Sequence, residues 1–221
     1  TREILKLMNG GVEDYKELEW SRKVNSSITG QTAGYNSVLS DRAVVGEGCY
    51  LEDSFVHSRA VVGNGVILSY LDIHDEVIPD HVVLHGLKQK NGKFVCRIYG
   101  VQDNPKESVL FGMDLEKRAG ELGISEDELW GKREHTLWQA ELYPECDGIQ
   151  AAVKASLNLY EIFHNGGDLA SWRKENRKSL CSGFHDADAS AIIAWNKRMQ
   201  ELVQMDEIAK DIRQGKPVRE V

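Results

Sequence analysis

Two histidines at a fixed spacing are the first candidates for chemistry in this sequence. His57 and His74 stand 17 residues apart, at matching places in a repeated pattern. An imidazole ring takes up a proton near physiological pH, so a histidine that faces a groove can act as a general base. A histidine at a surface corner is the competing interpretation, and we favour it for both residues.

Two other groups of polar residues give weaker signals. His85 stands beside Gly86 and close to Lys88, and a role at the end of the repeat is preferred over contact with a ligand. The run from His185 to Asp188 resembles a metal-binding cluster. Because Asp and Ser side chains often cap helix N-termini, we expect this run to open the last long helix instead.

Motifs for phosphate binding or catalysis are missing from the sequence. There is no GxGxxG between strand and helix, no GxxxxGKS, no GxSxG and no HExxH. The four cysteines are Cys49, Cys96, Cys146 and Cys181, and they form no CxxC pair. We therefore expect neither a zinc site nor disulfides, and we predict that the protein is in a reducing cytoplasm. The sequence therefore assigns no catalytic, cofactor-binding or metal-binding residue.

A repeat of about 17 residues positions the two histidines. The segment NSVLSDRAVVGEGCYLED, from Asn36, matches DSFVHSRAVVGNGVILSY, from Asp53, and a looser copy runs from Leu71 to Gly86. Short apolar runs alternate with Gly-Glu-Gly, Gly-Asn-Gly and Pro-Asp-His corners, where Gly, Asn and Asp tolerate left-handed backbone conformations. Copies this short cannot bury an apolar face alone, so stacked copies must share one core.

The repeat predicts a short, three-sided parallel β-helix of three hexapeptide-type coils, followed by an all-α region. We expect the flanking segments to cover the exposed strand edges at its ends. Residues 1–22 are predicted to be an N-terminal helical lead-in, residues 23–101 the β-helix with closing strands, and residues 102–221 a helical linker domain. Within the second part, residues 24–28 are an entry coil, GQTAG at 30–34 is a loop, and residues 92–101 alternate like a strand pair.

Apolar residues recur at helical spacing beyond residue 109 and predict about six helices. Ser125 begins a capping box, and Gly215 with Pro217 ends the last helix. Four of the five tryptophans lie in this region and are expected in its core. The apolar faces are Ile149, Val153, Leu157 and Tyr160 in one helix, and Ile192, Trp195, Met199 and Leu202 in another.

The charge balance and hydropathy exclude two classes of partner. The formal net charge is −8 and no cluster of Lys and Arg stands out, which argues against nucleic acid as a main partner. No apolar run approaches the roughly 18 residues that a membrane span needs, so we expect no membrane partner.

Two long segments resemble one enzyme family. The segments 82–108 and 111–144 are similar to the bifunctional L-fucokinase/L-fucose-1-phosphate guanylyltransferase family of Bacteroides type. The similarity is carried by LGI at 122–124, ELW at 128–130 and TLWQAELYP at 136–144. The opening TREIL resembles the helix that follows the nucleotidyltransferase domain in fucose-1-phosphate guanylyltransferases, so the resemblance extends over essentially all 221 residues.

The resemblance implies a part in GDP-L-fucose salvage. Members of that family carry a nucleotidyltransferase domain, a left-handed β-helix, a helical linker and a GHMP-type kinase domain. This chain would then be the central fragment, a scaffold that is inactive alone. Its partners would be the flanking catalytic domains of the same polypeptide, together with the parent's sugar and nucleotide substrates. No cofactor is expected in the fragment, whereas Mg²⁺, ATP and GTP are expected for the parent enzyme. The open ends of a β-helix also allow a homo-oligomer.

Two further functions stay open at this stage. A β-helix acyltransferase that acts on a sugar nucleotide would use His57 or His74 as its base and would need a trimer. A non-catalytic interaction module would bind another protein through its tryptophan-rich helical faces. Whether Lys88, Arg97 or His135 reaches a substrate held by a neighbouring domain is left open as well.

Overall fold

A computed structural model describes residues 2–9 and 32–215 of the chain. Short parallel strands are stacked in its first part and helices make up most of its second part. The helices are α1 (Arg2–Met8), α2 (Leu115–Glu121), α3 (Glu126–Leu129), α4 (Ile149–His164), α5 (Leu169–Trp172), α6 (Leu180–His185) and α7 (Ala189–Arg213).

Fifteen strands are present in the described residues, and most of them are two or three residues long. Nine form the stack: β1 (Ala33–Tyr35), β2 (Val38–Leu39), β3 (Val44–Val45), β4 (Tyr50–Glu52), β5 (Phe55–Val56), β6 (Val61–Val62), β7 (Ile67–Ser69), β8 (Asp72–Ile73) and β9 (Val77–Ile78). The others are β10 (Val82–Lys88), β11 (Phe94–Gly100), β12 (Val109–Leu110), β13 (Met113–Asp114), β14 (Tyr143–Pro144) and β15 (Arg177–Lys178).

Three sheets run along the stack, and each takes one strand from every coil. Their orders are β1-β4-β7-β10-β11, β2-β5-β8 and β3-β6-β9. The first sheet also includes β10, which is parallel to β7, and β11, which is antiparallel to β10. Tyr50 pairs with Ile67, and Ile67 pairs with Val83, so the register steps by 17 and then by 16 residues. This pairing confirms the predicted alignment of the copies and the three-coil solenoid; left-handed coiling stays a prediction from the resemblance.

One corner of the solenoid needs a left-handed residue in every coil. Gly48 and Gly65 fill it with φ of 67° and 60°, and His81 takes the same position in the third copy with φ of 57°. A Cβ atom on Gly65 would lie 2.6 Å from Nδ1 of His81. A side chain at Gly65 would need both a left-handed backbone and a shift of the His81 ring, and glycine avoids both.

The C-terminal end of the solenoid is covered by later segments, as predicted. Strand β11 pairs antiparallel with β10 over seven residue pairs, and α4 packs on both strands. Ser156 of α4 donates a hydrogen bond to the carbonyl of Cys96, and Val153 and Leu159 share one core with Leu84. The helical region thus continues the solenoid core. The domain boundaries proposed between residues 22 and 23 and between residues 101 and 102 stay predictions.

The predicted strand pair at 92–101 is wrong, because this segment forms the single strand β11. Its partner is β10, which precedes it, and Gly92 with φ of 84° lies in the turn that joins the two strands. Val95, Cys96, Arg97 and Ile98 are all buried. Helix α4 contacts this strand at Cys96, and Gly183 of α6 lies beside Val95 and Arg97, so later helices shield the middle of the strand from solvent.

The N-terminal predictions are met in part. Helix α1 ends at Met8, and Leu5 and Met8 pack on Tyr50 and Ile67 of the first sheet. The rest of the lead-in and the entry coil at 24–28 lie outside the described residues. The predicted loop at 30–34 is wrong at its end, because Ala33 opens β1 and pairs with Tyr50.

The helical region has six helices in the described residues, which agrees with the predicted number. Ser125 caps α3 by accepting a hydrogen bond from the Glu128 amide at 3.2 Å. Gly215, with φ of 67°, follows the end of α7 as predicted, whereas Pro217 lies outside the described residues. Of the predicted apolar faces, Val153 and Met199 are fully buried and the other six residues are half-buried.

The core takes in three of the four tryptophans of the helical region, as expected, whereas Trp195 of α7 is not part of it. Trp130 and Trp172 are fully buried, and Trp138 and Trp195 are half-buried. The indole of Trp172 donates to the Leu142 carbonyl at 2.9 Å, which satisfies its buried N–H. No helix in the described part of the chain is long and apolar enough to cross a membrane.

Candidate functional site

The structure brings two of the candidate histidines together around a carboxylate. His57 follows β5 and His74 follows β8, and these strands are adjacent in one sheet. Nε2 of His57 lies 2.7 Å from Oδ1 of Asp72, and Nε2 of His74 lies 3.1 Å from Oδ2 of the same residue. We call these three residues the His–Asp–His cluster.

Aromatic stacking fixes the rings of this cluster. The ring centroids of His57 and His74 are 4.0 Å apart, and Phe55 stacks on the outer side of His57 at 4.1 Å. Gln150, at the start of α4, contacts Nε2 of His74 through its side-chain amide at 2.7 Å. The preferred surface-corner interpretation accounts for the location, but the sequence argument missed Asp72 and Gln150 as partners. The pattern Asp72-x-His74, with His57 one coil earlier, was the signal that could have found the carboxylate.

The other candidate histidine of the solenoid, His85, lies within β10 rather than at a corner. It is opposite Arg97 of β11, whose Nη2 donates to its Nδ1. Burial, and then the Arg97 charge, lower the pKa of His85 to about 3. His85 is therefore neutral at pH 7, and its remaining ring hydrogen is on Nε2. The role that was predicted for it at the end of the repeat is a contact with β11, the strand that closes the solenoid.

Arg97 carries a buried positive charge. The residue is 7% exposed, and burial lowers the pKa of its guanidinium. Nη1 donates to the Leu180 carbonyl at 3.3 Å, while Nε has no hydrogen-bond partner among the described residues. Through these two hydrogen bonds the Arg97 side chain connects β11 to β10 and to the start of α6.

A cavity of about 290 Å³ lies between β10 and α7. Its wall is mainly apolar, with Phe94, Ile149 and Trp195 among its residues, and Lys88 and Arg198 add two cations. Lys88 lies 5.8 Å from the centre of the Phe94 ring. Tyr70 also lines the cavity, and burial followed by nearby acidic groups raises its pKa to about 12, so its hydroxyl stays protonated.

Helix α7 is anchored to the solenoid beside this cavity. The Trp195 indole donates to the Asp53 carbonyl at 2.7 Å, and the Asn196 amide donates to Oδ1 of Asp53 at 2.9 Å. Asp53 has a φ of 44° at a coil corner, a conformation that Asp tolerates. The corner residue therefore serves both the turn and the helix contact.

The remaining candidates have structural partners. His135 stacks on Trp130 with ring centroids 4.5 Å apart, and its Nδ1 lies 3.6 Å from Glu116. Asp188 caps α7 by accepting from the amides of Ser190 and Ala191, which confirms the cap that was preferred over a metal cluster. The three residues considered for substrate contact therefore lie in different places. Lys88 lines the cavity, Arg97 is buried in the sheet, and His135 stacks on the Trp130 ring.

Two groups of side chains in the described residues could hold a metal ion. They are the His–Asp–His cluster and the exposed set Glu116, Glu126 and His135. Neither suits Mg²⁺, which prefers an octahedron of oxygen ligands, because each group includes a histidine nitrogen.

Comparison with known protein families gives a match over two thirds of the chain. A model of the fucose pyrophosphorylase domain matches residues 1–148. The matched part spans α1, the whole solenoid and the strands up to β14, and it ends one residue before α4 begins at Ile149. No significant match is found among curated proteins or among solved structures.

Proposed function

The chain belongs to the fucose pyrophosphorylase domain family, and from that membership we propose that it is a scaffold within a GDP-L-fucose salvage enzyme. The membership agrees with the relationship that segments 82–108 and 111–144 predicted. The family match over residues 1–148 is the single observation that carries the proposal. It supports a nucleotidyltransferase context for the solenoid.

The reactions of the proposed parent enzyme need two catalytic centres. L-Fucose and ATP give L-fucose-1-phosphate and ADP, and L-fucose-1-phosphate and GTP give GDP-L-fucose and pyrophosphate. Mg²⁺ would offset phosphate charge in both steps. We place these centres, with Mg²⁺, ATP and GTP, in nucleotidyltransferase and GHMP-type kinase domains on either side of this segment.

The shared core supports a scaffolding role. The solenoid and α4 bury their apolar residues in one cluster, and α7 is hydrogen-bonded to the solenoid corner at Asp53. Such a unit would hold attached domains at a fixed spacing, because a continuous close-packed core resists deformation. The acyltransferase and interaction-module alternatives receive no comparable support from the family match.

Activity assays on the purified 221-residue chain test this proposal. The chain is supplied with L-fucose and ATP, and separately with L-fucose-1-phosphate and GTP, each with Mg²⁺. A complete bifunctional family member serves as the positive control for ADP and pyrophosphate release. We expect product from the control and none above background from the chain; turnover by the chain would contradict the scaffold.

Acetyl-CoA with GDP-L-fucose as acceptor separates the acyltransferase alternative. Under the scaffold proposal no free CoA is released. Release of CoA that His57→Ala abolishes would replace the scaffold by a β-helix acyltransferase.

A further inference from the structure

We propose that the His–Asp–His cluster binds one divalent transition-metal ion of the Zn²⁺ class. The proposal concerns the residues of the solenoid face and holds whether or not the chain acts as a scaffold. It assigns a ligand to a cluster that the family match does not explain.

The fold holds the three ligands on one rigid face. Phe55 pairs with Asp72 and Val56 with Ile73, so the strands that precede the two histidines are in fixed parallel register. The His57 amide donates to the Ile73 carbonyl at 2.8 Å, and the His74 amide donates to Oε2 of Glu76 at 2.8 Å. Both imidazoles therefore start from backbone positions that hydrogen bonds already define, which lowers the entropy lost when a metal binds.

The ligand atoms are close to the separations that a tetrahedral ion needs. One ring nitrogen of each histidine and one carboxylate oxygen of Asp72 all lie within 4.8 Å of one another. With zinc–ligand distances of about 2.0–2.1 Å, neighbouring ligand atoms in a tetrahedron are separated by roughly 3.3–3.4 Å. His57 contacts Oδ1 of Asp72 at 2.7 Å and His74 contacts Oδ2 at 3.1 Å, so the two contacts would open by about 0.6 Å and about 0.2 Å to reach that separation.

The donor set selects the class of metal. Two imidazole nitrogens and one carboxylate match zinc sites with an exchangeable fourth ligand, and the mixed nitrogen and oxygen donors disfavour Mg²⁺ and Ca²⁺. The side chains of His57, Asp72 and His74 are 32%, 27% and 38% exposed, so water can reach the fourth position.

Gln150 lies beside His74 and connects the cluster to α4. Nε2 of His74 faces both Oδ2 of Asp72 and the Gln150 amide, and it carries at most one hydrogen. An ion on Nε2 would satisfy His74 and Asp72 together, with Gln150 turned to offer its oxygen. Such an ion would join the second coil, the third coil and α4.

The chain supplies its own control. Glu116, Glu126 and His135 form the other possible metal group among the described residues, but all three are exposed. His135→Ala removes the single histidine of that second group. It should leave metal binding unchanged if the His–Asp–His cluster is the site.

Zn²⁺ titration of the metal-stripped, tag-free 221-residue chain tests the proposal. By calorimetry we expect one ion per chain and a rise in the thermal midpoint. His57→Ala and His74→Ala should each weaken binding by more than about 100-fold, since loss of outer-shell partners alone typically costs 10–100-fold. Circular dichroism of the metal-free variants checks that they are folded.

Side-chain NMR of the unmutated chain provides a test that does not depend on variants. Zn²⁺ should shift the ring nitrogen resonances of His57 and His74, while those of His135 and His164 stay in place. Absence of saturable Zn²⁺ binding, equal affinity in His74→Ala, or shifts confined to other histidines would each overturn the proposal.

Discussion

The contact between the half-buried His85 and the buried Arg97 shows how one pair of side chains links stability to pH. The imidazole accepts a hydrogen bond from the guanidinium, and burial together with the Arg97 charge keeps the ring neutral. A protonated His85 would bring two positive charges into contact in the sheet. Folding therefore excludes a proton that the unfolded chain accepts.

We expect the free energy of unfolding to fall as the pH drops below about 6.5, the ordinary pKa of histidine. Unfolded His85 binds a proton there, whereas folded His85 does so only near a pKa of about 3. The contribution of this residue is at most about 1.4 kcal/mol per pH unit.

Urea unfolding between about pH 7 and pH 4.5 should show a smaller loss of unfolding free energy in His85→Gln than in the unmutated chain. The exposed His164→Gln serves as the control and should leave the slope unchanged; parallel slopes in His85→Gln and the unmutated chain would contradict this role.

At the scale of elements, Gly86 lets β10, α4 and a coil corner approach closely. A Cβ atom at this position would lie 2.4 Å from the Tyr70 carbonyl oxygen and 2.7 Å from Cδ1 of Ile149. One of these contacts is backbone, so it cannot be relieved by turning a side chain. The start of α4, which carries Gln150, is thus positioned by the absence of a side chain in β10.

Gly86→Ala should destabilise the protein by about 1–3 kcal/mol, as overpacking typically does. Gly120→Ala is the matched control, because Gly120 lies in α2 with open space around it. That change should stabilise the protein by about 0.4–1 kcal/mol through lower entropy of the unfolded chain. Denaturant unfolding measures the change in unfolding free energy for both variants. Changes of equal size and the same sign would show that close packing at Gly86 does not determine the effect of Gly86→Ala.

The sequence predicted the elements whose signals are local. Coil corners and core tripeptides repeat within a few residues, so the register of β4 and β7 followed from alignment alone. Strand β11 did not, because its burial depends on α4 and α6, which are distant in sequence. The same limit applies to the candidate site: the spacing of His57 and His74 was visible, whereas the contact with Gln150 depends on how α4 covers the solenoid.

At the scale of the whole molecule, one core joins the solenoid to the helices. Leu159 of α4 is fully buried in the same cluster as Leu51 and Leu68 of the coils. Leu159→Ala should cost about 2–5 kcal/mol and lower the midpoint of a single unfolding transition. Exposed Lys154→Ala is the control and should change little. Separate transitions for strand and helix signals would contradict a shared cooperative unit.

Binding of the salvage substrates tests the scaffold account most directly. The 221-residue chain is heated with GTP, GDP-L-fucose, L-fucose-1-phosphate, ATP or acetyl-CoA, and its thermal midpoint is recorded. A ligand at 100 times its dissociation constant would stabilise the fold by about 2.7 kcal/mol, a readily visible shift. The account predicts no shift with any of the five. A shift with GDP-L-fucose or GTP would place a substrate site on this chain and contradict a purely scaffolding role, and a shift with acetyl-CoA would favour an acyltransferase.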